Sequence, residues 1–550
     1  MKRISAVVII VVFMAGTLFA AGQKPAAATT SEPTVRDEPF ELGSERLEFS
    51  LWQAYDWASG QDWPMDDRLG DIWIRDELDV HIEAPGADGA ARQKLNFMII
   101  EDSFFDVLQL DRGPDVTRLV QNGKLIAVDE WLDTYTNLRD GLGEDLLNLL
   151  RSDDGKLYQI PNWAIGPDRL NGNTGWFVES RIYEELGSPS LATFDDMYRY
   201  LERVKARYPN VVPLETGDGN QAFAWVVSGF GNYLDGGFVT RWYASPVDGE
   251  LRLILDNDAF VEGALWYSRA FRNGLITQDA FTQTRDQVRE KLNTRRVAVM
   301  VSNDAAGEAD ISRSIIRQSE PGAEPWKFID PVLSANNPTD LSDFRWMARD
   351  RLGWNVNVIT KDAADRAEKI FAFFDWMFGP YGAMVMRLGP PDVMWDATNW
   401  DPDAEMYPQL TDRFFAATAD EHRPYRGTPF VGNTSFADGF GEALNAQIDD
   451  PAMRNWKQTQ FTDKIWKYAY DGTEFANLLP PPDTDEGIVY QEVRDIMDET
   501  YARIAFAASD AQVREVIADA RRAVIAAGFE DVLAHYNEVW TSNRRAMGLD

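Results

Sequence analysis

The stretch Val297-Ala298-Val299-Met300-Val301 is an uncharged apolar run that follows two arginines. Such a run is typical of a strand that is buried on both faces, as in the parallel sheets of α/β proteins. Val107-Leu108-Gln109-Leu110 is a second run of this kind. A strand with alternating apolar and polar residues is predicted from Leu47 to Leu51. These strands predict the cores of two sheets.

Helical patterns lie between the predicted strands. Thr193 is placed to cap a helix whose apolar residues recur every three or four positions up to Val204. A second apolar helix face begins at Ile370 and ends at Gly379-Pro380. Two further helices are predicted near the C-terminus. Strands separated by helices predict an α/β protein with largely parallel sheets and additional C-terminal helices.

Length and charge limit the classes of function. A chain of 550 residues is expected to form two or more lobes. With 89 acidic and 54 basic residues, the formal net charge is −35. A field of this sign repels nucleic acids and anionic membrane surfaces, so neither is expected as a partner. It also disfavours polyanionic ligands unless local arginines reverse the sign.

The N-terminus has the order of a secretory signal peptide. Lys2 and Arg3 precede an apolar run at 4–19, and small residues follow at 20–22, where cleavage is expected. An uncleaved anchor is the alternative. Residues 23–44 are predicted to form a flexible leader. The chain has no cysteine, which excludes a lipid-modified one. The protein is therefore expected in the periplasm or at the extracytoplasmic face of the inner membrane.

Signatures of catalysis are missing from the sequence. The three histidines, His81, His422 and His535, are far apart, and no phosphate loop, zinc helix or nucleophile elbow occurs. The segment at 483–487 differs from an EF-hand loop because its glycine comes one place early. We therefore predict no catalytic residue, no metal and no cofactor. Carboxylate pairs are numerous, so a glycoside hydrolase stays open.

Tryptophan is abundant, with 19 residues, several of them beside polar side chains. Indole faces stack on the apolar C–H faces of sugar rings, while amides, carboxylates and guanidinium groups bind sugar hydroxyls. This combination favours a carbohydrate as the ligand.

Seven motifs occur in the order of a known family and span nearly the whole predicted mature chain. They are Asp106–Asp111 with Leu119–Asp129, Asp154–Pro161, Trp176–Asp196, Trp266–Ile276, Arg296–Met300, Val356–Gly382 and Gly528–Tyr536. In these motifs the chain resembles the extracellular solute-binding proteins of carbohydrate ABC importers, of the long, family 1 type oligosaccharide-binding subgroup. One difference is Gln159, where the family usually has glycine.

The resemblance implies a two-lobed periplasmic-binding-protein fold, type II-like, with a mainly parallel sheet flanked by helices in each lobe. Lobe 1 is expected to cover 45–162 and 350–388, and lobe 2 to cover 164–349 and 389–550. The chain is expected to cross between the lobes near Asn162, Asp350 and Pro390. Hinged lobes of this kind bind their ligand in the cleft between them.

The same resemblance implies a set of ligand-binding residues. They come from the end of the first strand and the loop after it, from the pair after the second apolar strand, from the second lobe and from the hinge crossings. They are Trp52, Tyr55, Asp56, Trp57, Asp111, Arg112, Trp163, Trp225, Asn303, Trp354 and Trp395.

The function implied is that of a monomeric, non-enzymatic binding protein that captures an oligosaccharide and presents it to the permease subunits of an ABC importer. Two alternatives stay open. One is a secreted glycoside hydrolase or polysaccharide lyase, and the other is a sugar-sensing subunit of a signalling system.

Overall fold

The computed structural model describes residues 39–549 apart from 57, 59, 67, 165–171, 218, 337–343, 403–406, 417–442, 444, 449–453 and 455. The predicted signal peptide and residues 23–38 of the predicted leader therefore lie outside the described residues. Within the described part of the chain, no helix is both long and apolar enough to cross a membrane.

The first sheet has five strands in the order β2-β1-β3-β12-β4. Their bounds are β1 Leu47–Gln53, β2 Val80–Glu83, β3 Val107–Asp111, β4 Ile160–Asn162 and β12 Asn355–Ile359. Strand β1 is parallel to both of its neighbours, whereas β12 is antiparallel to β3 and β4. The late strand β12 thus enters the first sheet from a distant part of the sequence.

The second sheet has four strands in the order β10-β5-β9-β6. Their bounds are β5 Gly175–Glu179, β6 Val212–Glu215, β9 Val297–Ser302 and β10 Trp326–Ile329. Only β6 and β9 are parallel in this sheet, and β5 is antiparallel to both β9 and β10. The α/β architecture with two sheets is confirmed, but the sheets are mixed, because β5 and β12 run against their neighbours.

Two strand pairs lie outside these sheets. Strands β7 (Ala244–Val247) and β8 (Glu250–Leu253) form an antiparallel hairpin. Strands β11 (Met347–Arg349) and β13 (Ala469–Asp471) are parallel, and each begins close to a segment that links the two sheets.

Helices surround both sheets. Their bounds are α1 Leu69–Leu78, α2 Ala91–Glu101, α3 Pro114–Gln121, α4 Asn137–Leu142, α5 Glu144–Leu150, α6 Ser180–Glu185, α7 Phe194–Arg207, α8 Gln221–Val227, α9 Asp258–Arg272, α10 Arg285–Asn293, α11 Ala305–Ser319, α12 Ala367–Phe378, α13 Pro380–Leu388, α14 Asp412–Ala416, α15 Trp456–Lys464, α16 Asp485–Phe506, α17 Asp510–Ala526 and α18 Phe529–Ala546. A π-helical turn covers Phe238–Trp242.

The predicted helix boundaries are confirmed at two places. The Thr193 hydroxyl accepts the Asp196 backbone N–H at 3.1 Å and caps α7. Helix α12 ends at Gly379, and Pro380 opens α13, where the missing N–H of proline costs no hydrogen bond.

Each sheet has its own hydrophobic core. The core of the second sheet takes in α7, α9 and the C-terminal helices α16, α17 and α18. The largest core of the first sheet is built around α12 and includes Trp395, Trp400 and Phe414. These three residues follow Pro390, where the sequence predicted a crossing to the second lobe, yet they pack with the first.

Candidate functional site

Polar side chains form two rows across the first sheet. In the inner row, the Gln53 amide donates to Gln109 at 2.6 Å, and the Gln109 amide donates to Asn357 at 3.2 Å. These residues are register partners on β1, β3 and β12. Because side chains two residues apart point to the same face of a strand, the next row is formed where these strands meet the linking segments.

Tyr55, Asp111 and Asn355 form the outer row, since Asn355 is the register partner of Asp111, and Trp354 adjoins this row beside Tyr55. The Tyr55 hydroxyl donates to Asp111 Oδ1 at 2.9 Å, and the Tyr55 ring lies 5.1 Å from the Trp354 ring, centroid to centroid. Trp354 is 46% exposed, which is unusual for so large an apolar side chain. An exposed indole beside a carboxylate is the combination that binds the apolar face and the hydroxyls of a sugar.

Burial raises the pKa of the Tyr55 hydroxyl well above its ordinary value of 10.0, and the neighbouring Asp111 carboxylate raises it further. Tyr55 therefore stays protonated at physiological pH and keeps donating to Asp111. This hydrogen bond fixes one oxygen of Asp111 and leaves the other available as an acceptor.

Arg112 holds the linking segments together under this row. Its guanidinium forms an ion pair with Asp350, donates to Asn477 Oδ1 at 3.0 Å and reaches the carbonyls of Leu352 and Gly353, each at 3.2 Å. Burial lowers the pKa of Arg112 and raises that of Asp350, and in each case the partner's charge opposes the shift. Arg112 is a structural residue of the hinge, since its donors are engaged within the chain.

Two linking segments touch at Gly353. The backbone of Gly353 has a positive φ of 74°, and a Cβ at this position would lie 1.9 Å from the Asn162 carbonyl oxygen. Asn162 is the register partner of Asn355, so Trp163 and Trp354 follow directly on the two sides of this contact. Trp163 is half-buried and has a positive φ of 61°.

Four of the predicted site residues are thus brought together, namely Tyr55, Asp111, Arg112 and Trp354, and Trp163 lies at the same strand ends. Two predicted tryptophans are buried in separate hydrophobic clusters of the first sheet instead. The Trp52 ring is 1% exposed and stacks on Phe105. Trp395 is fully buried and donates to the Gly389 carbonyl at 3.0 Å.

The remaining predicted residues lie apart from this cluster. Trp225 is buried in the second core, where its indole N–H donates to Gln221 at 2.9 Å. Asp56 accepts the Ala91 backbone N–H at 2.8 Å and so stabilises the start of α2. Asn303 is exposed at the end of β9. Trp57 lies outside the described residues.

The sequence interpretation missed two buried asparagines. Asn355 is fully buried, and neither of its side-chain polar atoms has a hydrogen-bond partner among the described residues. Asn162 Oδ1 is likewise unpartnered. A pattern was visible, because Asn355 and Asn357 alternate with Val356 and Val358 in a buried strand. Buried amides of this kind normally have partners, so they indicate polar groups that reach them from elsewhere.

Neighbouring side chains engage the two carboxylates described at the site. Among the described residues, no cluster of three or more histidines and carboxylates is arranged to hold a metal ion. Asp111 accepts from the Tyr55 hydroxyl, and Asp350 pairs with Arg112. The geometry favours holding a ligand.

Comparison with known proteins supports the fold. No family model matches the chain, and no curated sequence matches it. Among solved structures, the alginate-binding protein AlgQ2 is 16% identical with a TM-score of 0.67, covering 92% of this chain and 100% of that one. The S. pneumoniae ABC-transporter substrate-binding protein FusA, in complex with kestose, is 17% identical with a TM-score of 0.65, covering 90% and 99%. An HMO-binding, ABC-transporter-associated solute-binding protein from Bifidobacterium longum infantis is 12% identical with a TM-score of 0.62, covering 90% and 98%. The chain therefore has the fold of the two-lobed solute-binding proteins.

Proposed function

We propose that this protein is the substrate-binding component of a carbohydrate ABC importer and captures an oligosaccharide between its two lobes. The observation that carries the proposal is the exposed Trp354 ring beside Tyr55 and Asp111, at the edge of the first sheet where the chain crosses to the second. The fold is shared with proteins whose names specify alginate, kestose and HMO as ligands.

The binding mode follows from the side chains of the site. Trp354 and Tyr55 supply the apolar surface for one sugar ring, and Asp111 accepts from its hydroxyls. The ligand favours closure to the extent that it binds the closed form more tightly than the open one. In this proposal no covalent bond is made or broken, so the bound glycan is released unchanged.

The proposal includes a partner and a location. We place the protein outside the cytoplasm, as a monomer that presents its closed form to permease subunits, with lobes bounded near 162 and 350. Support comes from the basic and apolar N-terminal sequence and from the ABC-transporter names of structures with the same fold. Co-purification of the tagged protein with ABC permease subunits from its native host would test this part.

Isothermal titration calorimetry against a panel of oligosaccharides tests the central claim. We expect saturable heat with at least one of them, and a loss of affinity of about fivefold or more for Trp354→Ala, because a stacking residue contributes at least about 1 kcal/mol. Chromatography of the recovered glycan should show no shorter product.

The matched control is Phe97→Ala. Phe97 is an aromatic residue of α2, a helix of the same lobe, and is 62% exposed. Its removal should leave the affinity unchanged. Equal losses for both variants, or cleavage of the glycan by the purified protein, would contradict the proposal.

A further inference from the structure

One exposed arginine belongs to a turn that side-chain contacts connect to the segment next to Asp111. Arg241 belongs to the π-helical turn Phe238–Trp242. The ring of its neighbour Trp242 lies 6.1 Å from that of Phe475, and two residues later Asn477 accepts the hydrogen bond from Arg112. These contacts connect the turn that contains Arg241 to Arg112, the residue next to Asp111 in the sequence.

The position of Arg241 is fixed by its backbone rather than by its side chain. Its carbonyl accepts the Tyr490 hydroxyl at 3.0 Å, so the turn is anchored to helix α16. The guanidinium is exposed and has no ion-pair or hydrogen-bond partner among the described residues. Its charge nevertheless reaches the first lobe: burial and Asp111 raise the pKa of Tyr55, and Arg241 opposes that rise.

Asn355 and Asp111 of the first sheet act on the same Tyr55 hydroxyl as Arg241 does. Asn355 is fully buried with both side-chain atoms unpartnered, and it lies beside the Tyr55 hydroxyl. Arg241 supplies donors only, whereas Asn355 and the free oxygen of Asp111 add acceptors. A ligand rich in hydroxyl groups satisfies both sets at once, because each hydroxyl both donates and accepts.

The charged side chains of this region balance one another. Asp350 pairs with Arg112, and the charge of the nearby Asp471 contributes to the raised pKa of Asp350; Arg349 is the backbone register partner of Asp471 in strands β11 and β13. Arg241 and Asp111 remain as one charge of each sign. The three arginines therefore do not reverse the negative field of a chain whose formal charge is −35.

We infer that Arg241 is the residue with which the second lobe binds the glycan, and that the charge-balanced site selects an uncharged glycan over a polyuronate. This inference rests on the proposed function and adds the ligand's charge and a specificity-determining residue. The planar guanidinium donates to neighbouring oxygens of one sugar, while Asp111 accepts from its hydroxyls. A uronate carries a carboxylate where a neutral sugar has a hydroxymethyl group. Asp111 would repel this carboxylate, and the site has no surplus positive charge to offset the repulsion.

Titration calorimetry with two matched sets of tetrasaccharides tests the ligand class. The neutral set is maltotetraose, cellotetraose, xylotetraose and mannotetraose, and the acidic set is tetragalacturonate and tetramannuronate. We expect the best neutral ligand to bind about tenfold or more tightly than either uronate at low ionic strength, a gap that salt narrows by screening. Tighter binding of a uronate would overturn the inference and leave the proposed function intact. No binding of any member would overturn the proposed function itself.

Variants of Arg241 test the role of the residue. With the best neutral ligand, Arg241→Gln should weaken binding about tenfold or more, because a hydrogen bond from a charged donor is lost. The affinity of Arg241→Lys should lie between those of the wild type and Arg241→Gln, since lysine keeps the charge but lacks the planar guanidinium group. The control is Arg199→Gln, on an exposed residue of the same lobe that pairs only with Asp196 in α7. Unchanged affinity of Arg241→Gln, or an equal loss in the control, would overturn the assignment.

Discussion

At the residue scale, the hydrogen bond from Tyr55 to Asp111 is the contact whose loss is easiest to isolate. Tyr55→Phe keeps the ring beside Trp354 and removes the donor that orients the carboxylate. We expect glycan affinity to fall by about 1 kcal/mol, or about fivefold, the usual contribution of one hydrogen bond. Calorimetry with the best ligand of the panel measures this.

Tyr158→Phe is the matched control for that prediction. The Tyr158 hydroxyl donates to Asp154 at 2.8 Å, a bond of the same kind in the same lobe. Burial raises the pKa of Tyr158 to about 12, so it too is protonated throughout the accessible pH range. Its removal should leave ligand affinity unchanged, and a loss equal to that of Tyr55→Phe would show a general effect of destabilising the lobe.

Single residues also show where sequence reasoning reached its limit. The resemblance assigned Tyr55 and Asp111 to one predicted site, and the structure brings them within hydrogen-bonding distance, because the adjacent strands β1 and β3 end at the same edge of the sheet. Trp52 and Trp395 carry the same side chain as Trp354 but are buried in two hydrophobic clusters of the first sheet. Residue type does not distinguish a core indole from an exposed one, since this depends on which neighbours the fold supplies.

At the element scale, Gly353 determines how closely two linking segments approach. Gly353→Ala combines a positive φ of 74° with a Cβ placed 1.9 Å from the Asn162 carbonyl oxygen. We expect a loss of about 3 kcal/mol in the free energy of unfolding, from backbone strain and the forced displacement of the segment. Urea unfolding followed by circular dichroism measures it.

Gly155→Ala separates the two causes. Gly155 has a similar φ of 79°, but nothing lies within 4 Å of a Cβ built on it. This variant should lose only about 1 kcal/mol, the cost of a non-glycine residue in the left-handed region. If the two variants are equally stable, the contact between Gly353 and Asn162 is not as tight as described.

A second prediction for the elements concerns the junction of α9 and α17. Asp510, at the start of α17, pairs with Arg269 at 2.8 Å and Arg272 at 2.7 Å. These arginines lower the pKa of Asp510 below 3.8, so the contribution to stability is present above that value and is lost as pH falls through the lowered pKa. Asp510→Asn should cost about 0.5 kcal/mol at pH 7, because solvent screens a half-exposed pair.

Urea unfolding between pH 7 and about 3 tests this pH dependence. The difference in the free energy of unfolding between Asp510→Asn and the wild type should become smaller as the pH falls. Asp495→Asn, which removes an exposed carboxylate 3.8 Å from Arg494, is the control and should show little change at any pH. A difference that grows on acidification would contradict the prediction.

The elements themselves were largely predictable, and their connections less so. The apolar runs at 107–110 and 297–301 form β3 and β9, because short uncharged apolar runs are typical of strands that are buried on both faces. The antiparallel entry of β12 and β5 was not visible, since pairing direction depends on contacts between residues that are distant in sequence. For the same reason, local pattern did not show that Trp395, Trp400 and Phe414 pack with the first sheet.

At the scale of the whole molecule, the two separate cores mean that a ligand between the lobes must link units that otherwise fold around different sheets. If it binds only the native form, glycan at 100 times its dissociation constant raises the free energy of unfolding by about 2.7 kcal/mol. We expect the bound glycan to stabilise both lobes. Hydrogen exchange should therefore slow for the backbone amides of β3 in the first sheet and of β9 in the second.

Arg241→Gln makes this prediction specific. The variant should still bind weakly through Trp354 and Asp111, and at 100 times its own dissociation constant the first sheet should keep its added protection. The second sheet should lose most of its ligand-induced protection from hydrogen exchange, because Arg241 is the proposed contact of the second lobe with the ligand. Equal protection of both sheets in the variant would mean that the lobes are linked through residues other than Arg241, whereas protection of β3 alone in the wild type would mean that the glycan is held by one lobe without closure.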